Sequence, residues 1–114
     1  MEKEQIANYI LDSLPYPVVF VDSTHIIRYM NSMAQYHYYS ERGYRDLLGK
    51  SIFCCHNENS KEKILAAFEK LKDHGNEVFI GLSVRNQRIY MNPVRDKSGE
   101  LIGYFERFEM NVQK

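Results

Sequence analysis

Between Asn59 and Val84 the spacing of apolar residues changes once, and this change constrains the fold more than any other feature of the chain. Ile64, Leu65, Phe68 and Leu71 recur three and four apart, which puts them on one face of a helix. Ahead of them Asn59 and Glu62 have the spacing of a capping box, with Asn59 as the cap and Glu62 reaching back. Gly75 follows at the position where a left-handed residue ends a helix. From Val78 the period falls to two: Val78, Ile80, Leu82 and Val84 alternate with Glu77, Phe79, Gly81 and Ser83. One helix with an apolar stripe therefore runs directly into a strand with one apolar face.

The flanking segments extend this pattern. Downstream, Arg85-Asn86-Gln87-Arg88 turns the chain and Ile89-Tyr90-Met91-Asn92 returns it. Asp96-Lys97-Ser98-Gly99 is a second turn, and Leu101 to Met110 forms the final strand. Upstream, Ile6, Tyr9, Ile10 and Leu14 predict an amphipathic helix over residues 3–13, stopped by Pro15 and Pro17. Pro17 to Asp22 is rich in β-branched residues and reads as a strand, Asp22-Ser23-Thr24-His25 as a turn, and His25 to Met30 as the second arm of a hairpin. Asn31 is a good cap for a following helix. Residues 32–48 lack sustained periodicity and are interrupted by Gly43 and Gly49, so they predict short helical turns. Two strands, helices, then three strands make an α+β domain with helices covering one sheet face. The layout is a flanking helix at 1–15, the domain at 16–110 and a tail at 111–114.

A chain of 114 residues is one domain. Its 15 lysines and arginines balance 15 aspartates and glutamates, which argues against nucleic-acid binding, where a basic face is expected. No apolar run approaches the roughly 20 residues that cross a bilayer, and the N-terminus is charged and polar. The expectation is a cytoplasmic chain, or a cytoplasmic piece of a larger one, with no membrane contact. Cys54 and Cys55 are adjacent and cannot staple distant segments, so they read as reduced thiols. Nine Tyr and six Phe are enough to fill a core or line a pocket. No paired carboxylates, phosphate loop, nucleophile elbow or metal-hydrolase signature is present, so the expectation is a binding protein and not an enzyme.

Three segments together resemble the PAS domain family. They are Pro17-Val18-Val19-Phe20-Val21-Asp22 with Ile27 and Asn31, then Gly43-Tyr44-Arg45-Asp46-Leu47-Leu48-Gly49-Lys50-Ser51, and Pro93 to Gly103 around Asp96-Lys97-Ser98-Gly99. The resemblance implies a five-stranded antiparallel sheet cupping a small-molecule pocket against the helices. It also implies a sensory or signal-transduction role, relayed to an attached effector domain or a homodimer partner. His25 stands where the first turn of the family often has glycine, and the stretch from Asn31 to Gly43 is a few residues longer than usual.

Candidate site residues follow from that pocket. Cys54-Cys55-His56 precedes the capped helix. His56 is a candidate haem iron ligand, because neutral imidazole is a common axial ligand. The plainer reading is a brace for the helix start through a hydrogen bond, with the cysteines as small core residues. Cys55-His56-Asn57 with Ser60 is similar to a PAS variant found near hemerythrin-like partners, which would favour a redox or gas-related signal. Zinc is disfavoured because adjacent ligands crowd a tetrahedral site. Flavin is a weaker candidate than haem: in the run Gly49 to His56, Ile52 fills the position of the reactive cysteine in flavin-binding relatives. Tyr36-His37-Tyr38-Tyr39 reads as an aromatic wall for a planar ligand or as helix packing with exposed tyrosine, and Phe53, Met91 and Tyr104 complete the predicted lining. A third reading has no ligand: a dimerisation module that associates through the N-terminal helix and the outer sheet face.

Overall fold

A computed structural model describes residues 1–55, 58–83 and 86–110, with Cys55 and His74 given by backbone alone. Helix α1 is Lys3–Asp12, followed by strands β1 (Val19–Asp22) and β2 (Ile27–Met30). Helix α2 (Ser32–Gln35) widens into a π-helical segment, Tyr36–Glu41, and a 3-10 turn at Ile52–Cys55 leads to α3 (Glu58–His74). Strands β3 (Val78–Leu82), β4 (Gln87–Arg95) and β5 (Leu101–Met110) complete the chain. The strands form one antiparallel sheet in the order β2-β1-β5-β4-β3. The final strand is therefore central, and its inner face is the floor of whatever the helices cover.

The core lies between that face and the helices. Ile64, Ala67, Phe68 and Leu71 of α3 and Ala34 of α2 pack with Val21, Ile27, Met30, Met91 and Tyr104 of the sheet. The predicted α3 stripe is thus the buried one, except that Leu65 stays exposed. Arg95 ties the end of α3 to the sheet, donating to the Leu71 carbonyl at 2.9 Å and to that of Gly99 at 2.9 Å.

Several boundaries differ from expectation. β1 begins at Val19 and not at Pro17, whose ring removes a ladder donor. α3 already includes Glu58, so Asn59 lies inside the helix and is not its cap. β4 is longer than the predicted Ile89–Asn92. The alternation in β3 does not persist. The register with β4 shifts between Phe79 and Gly81, Gly81 sits at φ +142°, and Leu82 ends 55% exposed. Val84, expected on the same face, lies outside the described residues, as does Arg85 of the predicted turn. No residue of α1 is buried; Ile6, Tyr9 and Ile10 all face solvent.

Asn31 performs its predicted capping role and a larger one. Its side-chain oxygen accepts from Ala34 N–H at 2.9 Å, which caps α2, and from Val18 N–H at 2.9 Å. Its amide donates to the carbonyls of Leu11 at 2.8 Å and Tyr16 at 3.2 Å, so one fully buried residue joins α1, β1 and α2. The β1–β2 turn is organised by Asp22, which accepts from Thr24 and Ile26 backbone N–H groups and from Arg28 Nε at 2.7 Å. Burial alone would raise the Asp22 carboxyl, but these donors together hold it far below the usual carboxylate range. His25 in that turn adopts φ +66°, the left-handed conformation that glycine takes without strain.

Candidate functional site

Alternation along β5 sends Tyr104, Glu106 and Phe108 to the inner face, while Phe105, Arg107 and Glu109 point outward. The outward set is paired: Arg107 bonds Glu77 at 2.8 Å and Glu109 at 2.9 Å, and Arg88 bonds Glu109 at 2.7 Å. The inward set divides in two. Around Tyr104 the packing is tight, and its hydroxyl shares a 2.9 Å hydrogen bond with His25 Nδ1. The His25 ring meets Phe68 edge-on at 4.9 Å between centroids and Phe53 at a 41° tilt at 5.3 Å. Desolvation lowers the His25 pKa below its ordinary value of 6.5, with Asp22 opposing and Lys72 reinforcing. The ring is therefore neutral near pH 7.

Two residues further along β5, Glu106 opens the other half. With Pro17, Tyr38 and Phe108 it borders both a small cavity and a larger groove. The cavity leaves about 20 Å³ for the centre of a water molecule, between Val19, Val21, Ile52 and Tyr104. The groove, about 360 Å³ by the same measure, runs between the sheet (Ile80, Gly81, Gln87, Ile89) and the helical wall (His37, Arg42, Lys63, Ile64). Among the described residues Glu106 has no hydrogen-bond donor and no cation partner, and burial pushes its carboxyl up to about 7. The residue is half-buried and its carboxyl faces the groove, so its apolar and aromatic neighbours disfavour the charge while solvent or a guest can reach its oxygens.

The predicted site residues are dispersed over the structure. His37 borders the groove, its Nδ1 at 3.2 Å from Glu41. Tyr104 borders the small cavity. Met91 is fully buried core, directly opposite Glu106 in the ladder. Phe53 packs on His25, with Lys61 Nζ over the Phe53 ring at 5.3 Å from its centroid. Tyr39 accepts from Leu47 N–H at 3.1 Å, donates to Met30 Sδ at 3.5 Å, and borders a separate shallow recess. Tyr36 is 58% exposed and borders neither cavity. Cys54 is exposed. His56 and the Cys55 side chain lie outside the described residues. Among the described residues no three His, Cys, Asp or Glu side chains cluster as a metal site.

Tyr38, part of the aromatic run expected to face the pocket, walls both spaces; the residues not anticipated are Glu106 and His25 as an inward-facing ring. Glu106 carried a readable signal. Once Tyr104 is placed inward, period two puts Glu106 beside it, the one acid on that side of an otherwise apolar row. His25 carried none, because its direction depends on the left-handed turn.

Comparison with known proteins agrees with this geometry. A family model described as PAS domain matches residues 7–109. No curated protein matches the sequence. The fold is similar to a C-terminal domain from Streptococcus mutans, with 24% identity over 96% of this chain and 85% of that one and a TM-score of 0.73. It is also similar to a sensory box sensor histidine kinase from Vibrio cholerae, with 13% identity over 96% and 93% of the two chains and a TM-score of 0.64. A third similar structure is a receptor from Vibrio cholerae described as a dual PAS-heme oxygen sensor, with 17% identity over 84% and 94% of the two chains and a TM-score of 0.54. The chain belongs to the PAS domain family.

Proposed function

We propose that this chain is a sensory, non-enzymatic signal-transduction domain that binds a small organic ligand in the groove beside Glu106. The observation that carries the reading is the unpartnered Glu106 carboxylate on an apolar and aromatic wall, bordering a groove of about 360 Å³. Apolar and aromatic side chains with a few convergent polar groups, here Glu106 opposite Arg42 and Lys63, are what small-molecule sites use. The similar structures described as a sensor histidine kinase and an oxygen sensor support a signalling role. Occupancy would act on β5, the central strand, and so on the termini that lead to an effector domain or a second copy. The exposed Ile6, Tyr9 and Ile10 of α1 offer a surface for that relay.

Native mass spectrometry of the purified protein, with thermal-shift screening of small metabolites, tests this directly. A bound or stabilising small molecule that is lost in Phe108→Asp supports the reading. No stabilising molecule, with Phe108→Asp indistinguishable from the parent protein, overturns it. The haem alternative separates in the same samples. Of the described histidine side chains only His37 borders the groove, while His56, the iron ligand expected from the sequence, lies outside the described residues. A Soret band on adding hemin that disappears in His56→Ala would move the assignment to haem.

A further inference from the structure

The charges around the groove are sorted by wall. Among the described residues Glu106 is the only charged side chain contributed by the sheet, whereas the helical wall contributes Arg42 and Lys63 and no carboxylate. Ile64, Ile80, Ile89 and Phe108 lie in the lining with them. Arg42 is held over the rings of Tyr38 at 5.7 Å and Tyr44 at 5.1 Å, with a long 3.4 Å contact to the Tyr44 hydroxyl. Among the described residues neither Arg42 nor Lys63 meets a carboxylate. A simple anion entering the groove would satisfy the helical wall but bring like charge towards Glu106. A simple cation would do the reverse, and an uncharged apolar guest would desolvate both walls without recompense.

We propose that the groove takes a small amphoteric molecule with an apolar middle, its protonated nitrogen on Glu106 and its anionic group on Arg42 and Lys63. This rests on the reading of the groove as a ligand site and specifies the chemistry of its occupant. The anionic group can be a carboxylate or a phosphate, since Arg42 and Lys63 recognise either.

The test uses the whole chain and three probes that share one aromatic ring: para-(aminomethyl)benzoate, benzylamine and para-toluate. Titration calorimetry at about pH 8, where Glu106 is ionised, should give para-(aminomethyl)benzoate at least about tenfold tighter binding than either single-charge probe. Glu106→Gln should reduce it to the affinity of para-toluate without weakening para-toluate itself. The double variant Arg42→Met with Lys63→Met should reduce it to that of benzylamine. Equal affinities for the three probes, or loss of all three together in Glu106→Gln, overturns the assignment. If none of the probes binds but the uncharged dye Nile red binds and is lost in Phe108→Asp, the groove stands as a site and the amphoteric assignment falls. If the dye fails as well, the site reading falls with it.

Discussion

One strand, β5, carries two opposite solutions to the same burial problem. Around Tyr104 the polar atoms are matched: its hydroxyl meets His25 Nδ1 at 2.9 Å, and the rings of Phe68 and Phe53 close around the imidazole. At the opposite end of β1, Asn31 uses all of its amide capacity on four backbone groups. Around Glu106 the packing opens, and the carboxylate has no partner among the described residues. Both residues face inward, two positions apart. Their difference in hydrogen bonding separates the half that stabilises the fold from the half available to a ligand. Substitutions in the first half should cost stability and spare binding, and those in the second should do the opposite.

The largest effect is expected at the back of the closed half. A Cβ on Gly103 would run into the Val21 carbonyl oxygen and sit 2.6 Å from the Phe20 ring. Neither backbone nor a packed ring can yield cheaply, so Gly103→Val should destabilise by about 3 kcal/mol, measured as a lower urea midpoint. Asn31→Ala comes next. It strips four hydrogen bonds from buried backbone groups and releases α1, for a loss of roughly 2–3 kcal/mol. Limited proteolysis should then cut between α1 and β1 before the domain unfolds. Cleavage no faster than in the parent would show that α1 is held by other contacts.

The same division explains what could be read from the chain. Element order was legible because periods of 3.6 and two mark α3 and the late strands, and because Asn31 is a cap by chemistry. Its bonds to Leu11 and Tyr16 were not legible, since they join segments that no local pattern connects. Gly81 looked like one more alternating residue of β3, yet its positive φ breaks the register and turns Leu82 outward. The candidate site was read from aromatic clustering at Tyr36-His37-Tyr38-Tyr39. A π-helical segment spreads consecutive side chains around its axis, so His37 and Tyr38 border the groove while Tyr36 and Tyr39 do not. Family resemblance located the cupped sheet face but not the acid on it.

A variant in the open half should behave in the reverse sense. The Glu106 carboxyl titrates at about 7 in the folded chain against 4.5 when unperturbed, because burial disfavours its charged form. The folded chain thus holds a proton over a window where the unfolded chain has released it. Stability from this residue is complete below pH 4.5 and is lost as pH rises through 7. Among the described residues Arg42 and Lys63 stand on the facing wall without pairing with Glu106, and Tyr104 on the same strand adds no charge while its phenol stays neutral. Glu106→Gln keeps the shape and removes the charge. It should raise stability by roughly 2 kcal/mol at about pH 8 and change little at about pH 5. Parallel denaturation curves for the two proteins across that range would show that the acid is not strained.

The smallest effect is the most discriminating one. Tyr104→Phe removes a single hydroxyl and leaves His25 Nδ1 without its partner, at about 1 kcal/mol. The parent should itself weaken in acid: His25 titrates below its ordinary 6.5, so the unfolded chain takes up a proton first and stability falls as pH drops below that value. Removing the hydroxyl should not alter affinity for any ligand that binds Glu106, although the two residues are next neighbours on one face of β5. An affinity change in Tyr104→Phe as large as that in Glu106→Gln would mean that the small cavity and the groove act as one site. In that case the hydrogen bond to His25 would belong to recognition and not to the scaffold.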